Sequence, residues 1–282
     1  MKDDFREVAV EATFKGGEVL MRFFRNLDPE KIAEKTKNDL VTEADRASEQ
    51  TIREVLGKRF PDHSFLGEET GNFGGGSKCW IVDPLDGTLN FAQGFHHWCV
   101  SVALWEGGVP LIGCVFDPMH GDLFFTERGN GSYWFQNVDV ERQLGGLAEL
   151  ESICVPKRLS ISDHHCLDGS FVATGFAFQI GERFTQYLKV LEPLFYRAKG
   201  IRRAGSAALD LAHTAAGIYD IYFEMGLQKW DIAAGSLLLQ EAGGIITDWD
   251  GTDGWWNNGY AVAGNPCVQQ QLVDFIRSVT CE

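Results

Sequence analysis

Basic residues are scarce in this 282-residue chain: 25 Lys and Arg face 40 Asp and Glu, giving a formal net charge of −15 and a pI near 4.9. So acidic a surface repels a polyphosphate backbone or an anionic bilayer, which argues against nucleic-acid and membrane partners. A small phosphate ester would be repelled too, unless bound cations reverse the sign locally. None of the seven cysteines (Cys79, Cys99, Cys114, Cys154, Cys166, Cys267 and Cys281) forms a C-x-x-C pair or has zinc-finger spacing with histidine. Their odd number and apolar settings fit free thiols and a cytoplasmic protein. No apolar run approaches the ~18 residues that would span a bilayer. The acidic start, Met1-Lys2-Asp3-Asp4, lacks the apolar centre of a secretory leader.

Two familiar loops are also missing. The glycine-rich stretch 71–77 has no following Lys-Ser/Thr and no G-x-G-x-x-G, so it reads as a flexible connection rather than a phosphate loop. Residues 248–259 hint at a calcium loop, but Asp253 stands where glycine is needed and Gly259 where glutamate is needed. A surface turn is the better reading.

What is present is ordinary in bulk: 44% apolar and 23% charged residues, in a chain long enough for one large or two average domains. Helical spacing of Phe5, Val8, Ala9, Ala12, Val19, Leu20 and Phe23 predicts a helix over 4–24, mildly interrupted at Gly16-Gly17. The polar, lysine-bearing stretch 26–38 reads as a mobile loop. Thr42 and Asp45 have the spacing of a capping box for a helix that continues through Ile52 and Leu56. Strands are expected at 63–67 and 80–82, with hairpins at 98–105/109–116 and 123–126/132–135. Adjacent His96 and His97 would face opposite ways, which disfavours a joint metal site. Residues 144–151 look like a linker, followed by strands at 153–155 and 171–174 and a helix through Tyr187 that Pro193 would end. Ser206 caps a helix over 207–216; a strand at 218–223 leads to Asp231 at the start of a helix over 232–242. Strands at 245–247 and 261–263 and a helix over 268–279 close the chain. Helices then hairpins in the first half, and strand–helix alternation in the second, suggest an α+β unit (1–148) joined to an α/β unit (149–282).

The chemistry centres on Cys79-Trp-Ile-Val-Asp83-Pro-Leu-Asp86-Gly-Thr-Leu-Asn-Phe91. A buried-strand run breaks at Pro84 and leaves two carboxylates at its tip. Gly87-Thr88 then opens a short helix whose N–H groups would face the same point. Either this is a plain capping turn, or a cation sits between the carboxylates and an anion on the amides. Glu68, Asp83, Asp86 and Asp231 all fall where an apolar segment meets a turn or a helix start. Converging, they would be intolerable without cations, and an all-oxygen set selects Mg²⁺ or Mn²⁺ over zinc.

The chain resembles the inositol monophosphatase family of metal-dependent, often lithium-sensitive phosphatases. The likeness is carried by Asp39-Leu-Val-Thr-Glu-Ala-Asp45, Phe65-Leu-Gly-Glu-Glu69, Trp80-Ile-Val-Asp-Pro-Leu-Asp-Gly-Thr-Leu-Asn-Phe91, Gly205-Ser-Ala-Ala-Leu-Asp210, Trp230-Asp-Ile-Ala-Ala-Gly235 and Glu241-Ala-Gly-Gly244. It implies a layered αβαβα sandwich, a homodimer, and hydrolysis of a polyol phosphate by metal-activated water, foremost myo-inositol 1-phosphate. By the same resemblance Glu68, Asp83 and the Leu85 carbonyl would bind one Mg²⁺. Asp83, Asp86 and Asp231 would bind a second, and Glu68 could serve a weaker third. Thr88, oriented by Asp45, would position the attacking water, with the Gly87 and Thr88 amides on the phosphate. Gly205, Ser206, Ala207 and Glu224 match polyol-contacting positions, although a buried glutamate can equally be a structural acceptor. Fructose 1,6-bisphosphate, histidinol phosphate and 3′-phosphoadenosine nucleotides are alternatives within the fold. A non-catalytic regulator that binds a transcription factor is an alternative outside catalysis. The insert at 71–77, His96-His97 and the Trp249–Trp256 turn depart from the family pattern.

Overall fold

The computed structural model describes residues 5–24, 26, 33–36, 39–140, 145–176 and 178–280. Helix α1 (Phe5–Phe23) runs unbroken through the expected interruption, because both glycines are contact points. A Cβ on Gly16 would meet Ile52 Cδ1 at 2.8 Å, and one on Gly17 would meet the Phe116 ring at 2.8 Å. Strands β1 (Ala33–Thr36) and β2 (Asp39–Val41) form a small antiparallel ribbon, so 33–36 of the stretch 26–38 expected to be a loop is strand; the remainder of that stretch, apart from Asn26, lies outside the described residues. Thr42 then caps α2 (Glu43–Arg59) with the capping box read from the sequence. β3 (Ser64–Gly67) and β4 (Gly71–Phe73) pair antiparallel, so part of the supposed flexible connection is strand. β5 (Lys78–Asp86), the short helix α3 (Thr88–Ala92), and strands β6 (Cys99–Glu106), β7 (Val109–Asp117), β8 (Asp122–Glu127) and β9 (Gly131–Phe135) follow as expected.

The supposed linker is corrected to a helix, α4 (Leu147–Ile153). Leu147 and Leu150, one turn apart, are buried, and the Glu7 carboxylate accepts the Ala148 N–H at 3.0 Å. Ile153 therefore ends a helix, and the strand lies later, at β10 (Lys157–Arg158). The 148/149 boundary falls inside α4. β11 (Phe171–Phe176) leads to α5 (Phe184–Arg197), which continues past Pro193. The buried face of Tyr187, Val190 and Leu194 offsets the missing proline N–H bond. β12 (Gly200–Arg202), α6 (Ala207–Ala215), β13 (Ile221–Met225), α7 (Lys229–Glu241), β14 (Ile245–Thr247), α8 (Trp255–Asn258), β15 (Tyr260–Gly264) and α9 (Pro266–Thr280) complete the order.

The larger sheet runs β10-β9-β8-β7-β6-β5-β3-β4, parallel only at β3/β5; the second runs β12-β11-β13-β15-β14. Helices α1 and α2 cover one face of the larger sheet, α6 and α7 lie between the sheets, and α5 and α9 cover the far face of the smaller one. That gives five layers, αβαβα. Among the described residues no helix is long and apolar enough to cross a membrane.

One irregularity positions the site. Asp83 pairs with Ser101 and Asp86 with Cys99, so three steps on β5 oppose two on β6. Strand residues three apart normally face opposite sides. The bulge at Pro84-Leu85, where proline offers no ladder donor, brings Asp86 back to the side Asp83 faces. That is the side of Ile81, Cys99 and Ala103, packed toward α6 and α7.

Candidate metal centre

The bulge is tied down from two directions. Ser48 Oγ on α2 donates to the Pro84 carbonyl at 3.1 Å, and Leu85 N–H donates to Asp83 Oδ1 at 3.0 Å. Across the seam, Asp86 Oδ2 accepts from Ser206 Oγ at 2.6 Å and from Ala208 N–H at 2.7 Å. Ser206 is also the N-cap of α6, so this carboxylate holds the first turn of a helix from the second half of the chain. Asn90 Nδ2 reinforces the join by donating to the carbonyls of His97 at 2.7 Å and Ala204 at 2.9 Å.

Asp231 lies in the first turn of α7, where its Oδ2 accepts the Gln228 N–H at 2.7 Å. Glu68 follows β3, its own N–H bonded to the Val82 carbonyl at 3.2 Å. Burial, and then the charges of Glu68, Asp86 and Asp231, push the Asp83 carboxyl well above the usual range. Asp231 is pushed up by burial and by Asp86, Glu68 and Glu224. Burial raises Asp86 as well, opposed by its two donors and by His97. The four acids therefore feel one another. Among the described residues, no three His, Cys, Asp or Glu side chains already close around a point as an ion would require. The arrangement is an acidic cluster rather than a finished cage. An all-oxygen donor set, two of whose members repel three neighbours across a desolvated seam, fits a divalent cation, which would lower every one of these pKa values.

Thr88 and Asp45 are brought together. Thr88 Oγ1 lies 3.1 Å from Asp45 Oδ1 and 3.0 Å from the Leu85 carbonyl, two acceptors for its single proton. Asp45 Oδ2 accepts the Thr42 N–H at 2.8 Å and the Thr42 hydroxyl at 2.5 Å; burial still raises its pKa. Gly87 precedes with φ +96°, and a Cβ there would lie 2.9 Å from the His97 carbonyl, so a side chain is excluded twice over. Gly205, at φ +94°, lies against Asn90 and Arg203, and Ala207 opens α6. Glu224 on β13 accepts the Tyr222 hydroxyl at 2.7 Å, and burial pushes it up to about 8. Its repulsion reaches Asp86 and Asp231, which puts it in the same electrostatic neighbourhood.

Sequence reasoning missed three contributors. Glu49, fully buried on α2, accepts from Glu69 N–H at 2.8 Å, Thr70 N–H at 2.9 Å and the Thr70 hydroxyl at 2.5 Å, so it clamps the turn that carries Glu68. Gly67 leaves room for it: a Cβ would fall 2.4 Å from Glu49 Oε2. Asn90 is only one letter of a motif in the sequence, whereas in the fold it joins the two halves through His97 and Ala204. His97 Nε2 stands 3.8 Å from Asp210 Oδ1, both buried and without a hydrogen bond, and burial pushes Asp210 up to about 6. His96 and His97 precede β6 rather than lying on opposite faces of a strand: His96 packs on Phe24, while His97 faces a carboxylate from α6.

Five alternating layers with an acidic seam under a strand bulge define the class: an αβαβα sandwich whose candidate site joins the larger sheet to the central helices. A profile of the inositol monophosphatase family matches residues 1–280, and the chain belongs to that family. The Nus factor SuhB of Escherichia coli is 38% identical over 272 residues, covering 96% of this chain and 94% of the relative. The Nus factor SuhB of Pseudomonas aeruginosa is 39% identical over 276 residues, with the same coverages of 96% and 94%. Among solved structures, the extragenic suppressor protein suhB of Bartonella henselae superimposes with a TM-score of 0.83 at 34% identity, covering 96% of this chain and 97% of that one. The inositol monophosphatase of Anabaena does so at 0.80 and 34%, covering 98% and 96%.

Proposed function

We propose that this protein is a Mg²⁺-dependent phosphatase acting on a small polyol phosphate monoester, with myo-inositol 1-phosphate as the first ester to try. The observation that carries this reading is the mutual repulsion of Glu68, Asp83, Asp86 and Asp231 beside the Thr88–Asp45 pair. Glu68, Asp83, the Leu85 carbonyl, Asp86 and Asp231 would hold two ions, Glu68 could serve a third, and Mn²⁺ could replace Mg²⁺. Bound there, the ions would supply Lewis-acid stabilisation of phosphoryl and leaving-group charge and would acidify a water. Thr88 Oγ1 would accept a proton from the attacking water while passing its own to Asp45 Oδ1. Asp45 suits that role because burial makes it a stronger base than an exposed carboxylate. The Gly87 and Thr88 amides would orient the phosphate, and Gly205, Ser206, Ala207 and Glu224 the polyol. A homodimer is part of the same reading, checked by light scattering.

Phosphate release from a panel holding myo-inositol 1-phosphate, fructose 1,6-bisphosphate, histidinol phosphate and a 3′-phosphoadenosine nucleotide, with and without Mg²⁺, tests this reading. Mg²⁺-dependent turnover of at least one ester is expected. The absence of turnover on all four, with folded protein, would count against it. That outcome favours a second reading, a regulator without catalysis, which draws on the relatives named Nus factor SuhB.

A further inference from the structure

The two halves of the chain meet at Asp86, whose Oδ2 accepts the Ser206 hydroxyl at 2.6 Å and the Ala208 N–H at 2.7 Å. Both donors belong to the start of α6, so a shift of that helix carries the carboxylate with it. Apolar packing registers α6 only loosely. Ala207, Ala208, Ala212 and Ala215 are buried along it, and such small side chains interdigitate too little to select one position. A polar pair in the same region can do more. Asp210, on α6, is 1% exposed, and its Oδ1 stands 3.8 Å from His97 Nε2 with neither atom in a hydrogen bond. A closure of about 1 Å makes that contact a charge-assisted bond. His213, on the next turn of α6 with its ring centre 6.1 Å from that of His97, is pushed down to about 4 by burial and brings no second charge at neutral pH. His97 is anchored on its other side as well. Its carbonyl accepts from Asn90 Nδ2 at 2.7 Å, and the same amide donates to the Ala204 carbonyl at 2.9 Å, just before α6.

We propose that His97 and Asp210 form a clasp that registers α6 against the bulged end of β5 and thereby positions Asp86. They are positioning residues, because both facing atoms are closed to solvent and no ligand reaches them. A buried polar pair of this kind selects one arrangement among several that apolar packing alone would tolerate. The consequence for a bound cation rests on the metal reading; the clasp itself does not. Cys99 reports the state of the join. Its thiol is fully buried, 3.6 Å from Ser206 Oγ and 3.9 Å from Asp86 Oδ2, so a reagent reaches it only when α6 lifts. Cys114, equally buried on β7 but packed in the core beneath α1 and α2, is exposed only when that core opens.

Metal-free protein in a chelator is treated with N-ethylmaleimide, and the peptides carrying Cys99 and Cys114 are followed by mass spectrometry. Asp210→Asn and His97→Gln are each expected to label Cys99 about tenfold faster than wild type, with Cys114 unchanged. Exchanging the two residues, His97→Asp together with Asp210→His, should restore slow labelling. Unchanged Cys99 labelling in both single variants, equal acceleration of Cys99 and Cys114, or an exchange variant as open as the single ones overturns the clasp. Calorimetric titration of Mg²⁺ into the same four proteins reads the positioning. Affinity should fall about tenfold in each single variant and recover in the exchange. Unaltered affinity alongside faster Cys99 labelling overturns the positioning of Asp86. No Mg²⁺ binding by wild type overturns the metal reading, while the thiol result still decides the clasp.

Discussion

Two groups of carboxylates in this fold, one on α2 and one at the strand bulge and the start of α7, are treated oppositely. On α2, Asp45 accepts from Thr42 twice and from Thr88, and Glu49 accepts three bonds from Glu69 and Thr70. Across the seam, Asp83 has the Leu85 N–H and Asp231 the Gln228 N–H, while each is repelled by neighbouring acids. A carboxylate surrounded by donors is finished as it stands and can orient something else. One that meets chiefly other carboxylates is unfinished and calls for a cation. The contrast divides the acids by role more sharply than burial alone.

The largest effect that would break this contrast is expected from Asp83→Asn. The side chain keeps its acceptor for Leu85 N–H but loses a ligand charge, and several kcal/mol of lost charge stabilisation corresponds to about a thousandfold slower phosphate release. Without Mg²⁺ the same variant should melt no lower than wild type, because a repulsion has been removed; a collapse in melting temperature would assign Asp83 to the fold instead. Next comes Thr88→Ala, expected to slow release about a hundredfold by removing the proton path to Asp45 while leaving Mg²⁺ affinity intact. Glu49→Gln sharpens the other side. It loses charge-assisted bonds worth about 1–3 kcal/mol, measurable by denaturant unfolding, and loosens the turn under Glu68, so half-saturation by Mg²⁺ should move to higher concentration.

The smallest effect is in pH. Burial first, with neighbouring acids, holds Glu224 at about 8 against about 4.5 in the unfolded chain. A carboxyl that binds its proton more tightly when folded costs nothing while both states are protonated, and costs progressively more as pH rises from about 4.5 to about 8. Glu224→Gln escapes that cost. Its stability relative to wild type should therefore grow between pH 5 and pH 8 by about 2 kcal/mol, allowing for its partial exposure. A gap that stays constant over that range would show Glu224 to be ionised at no cost.

Much of this was legible in the chain. Pro84 announced a break between two aspartates, and the bulge it makes is what puts Asp83 and Asp86 on one face. Thr42 and Asp45 announced a helix start by spacing alone, because a capping box is a local bond pattern. Glu49 could not be seen this way. Its spacing is that of any surface glutamate on a helix, and only the approach of the 67–70 turn, permitted by Gly67, turns it inward. The glycines of α1 misled for the same reason, since their contacts are with Ile52 and Phe116, distant in sequence. Helix α4 reads as a linker in the sequence because its two buried leucines are too few to show a period. Local chemistry was readable, whereas partners brought by tertiary approach were not.

Calorimetric titration of Mg²⁺ into wild type and into Asp83→Asn tests the central claim most directly. Saturable binding in wild type, weakened at least a hundredfold in the variant, is the predicted result. Equal Mg²⁺ affinity in both proteins, or no binding by folded wild type, would contradict it.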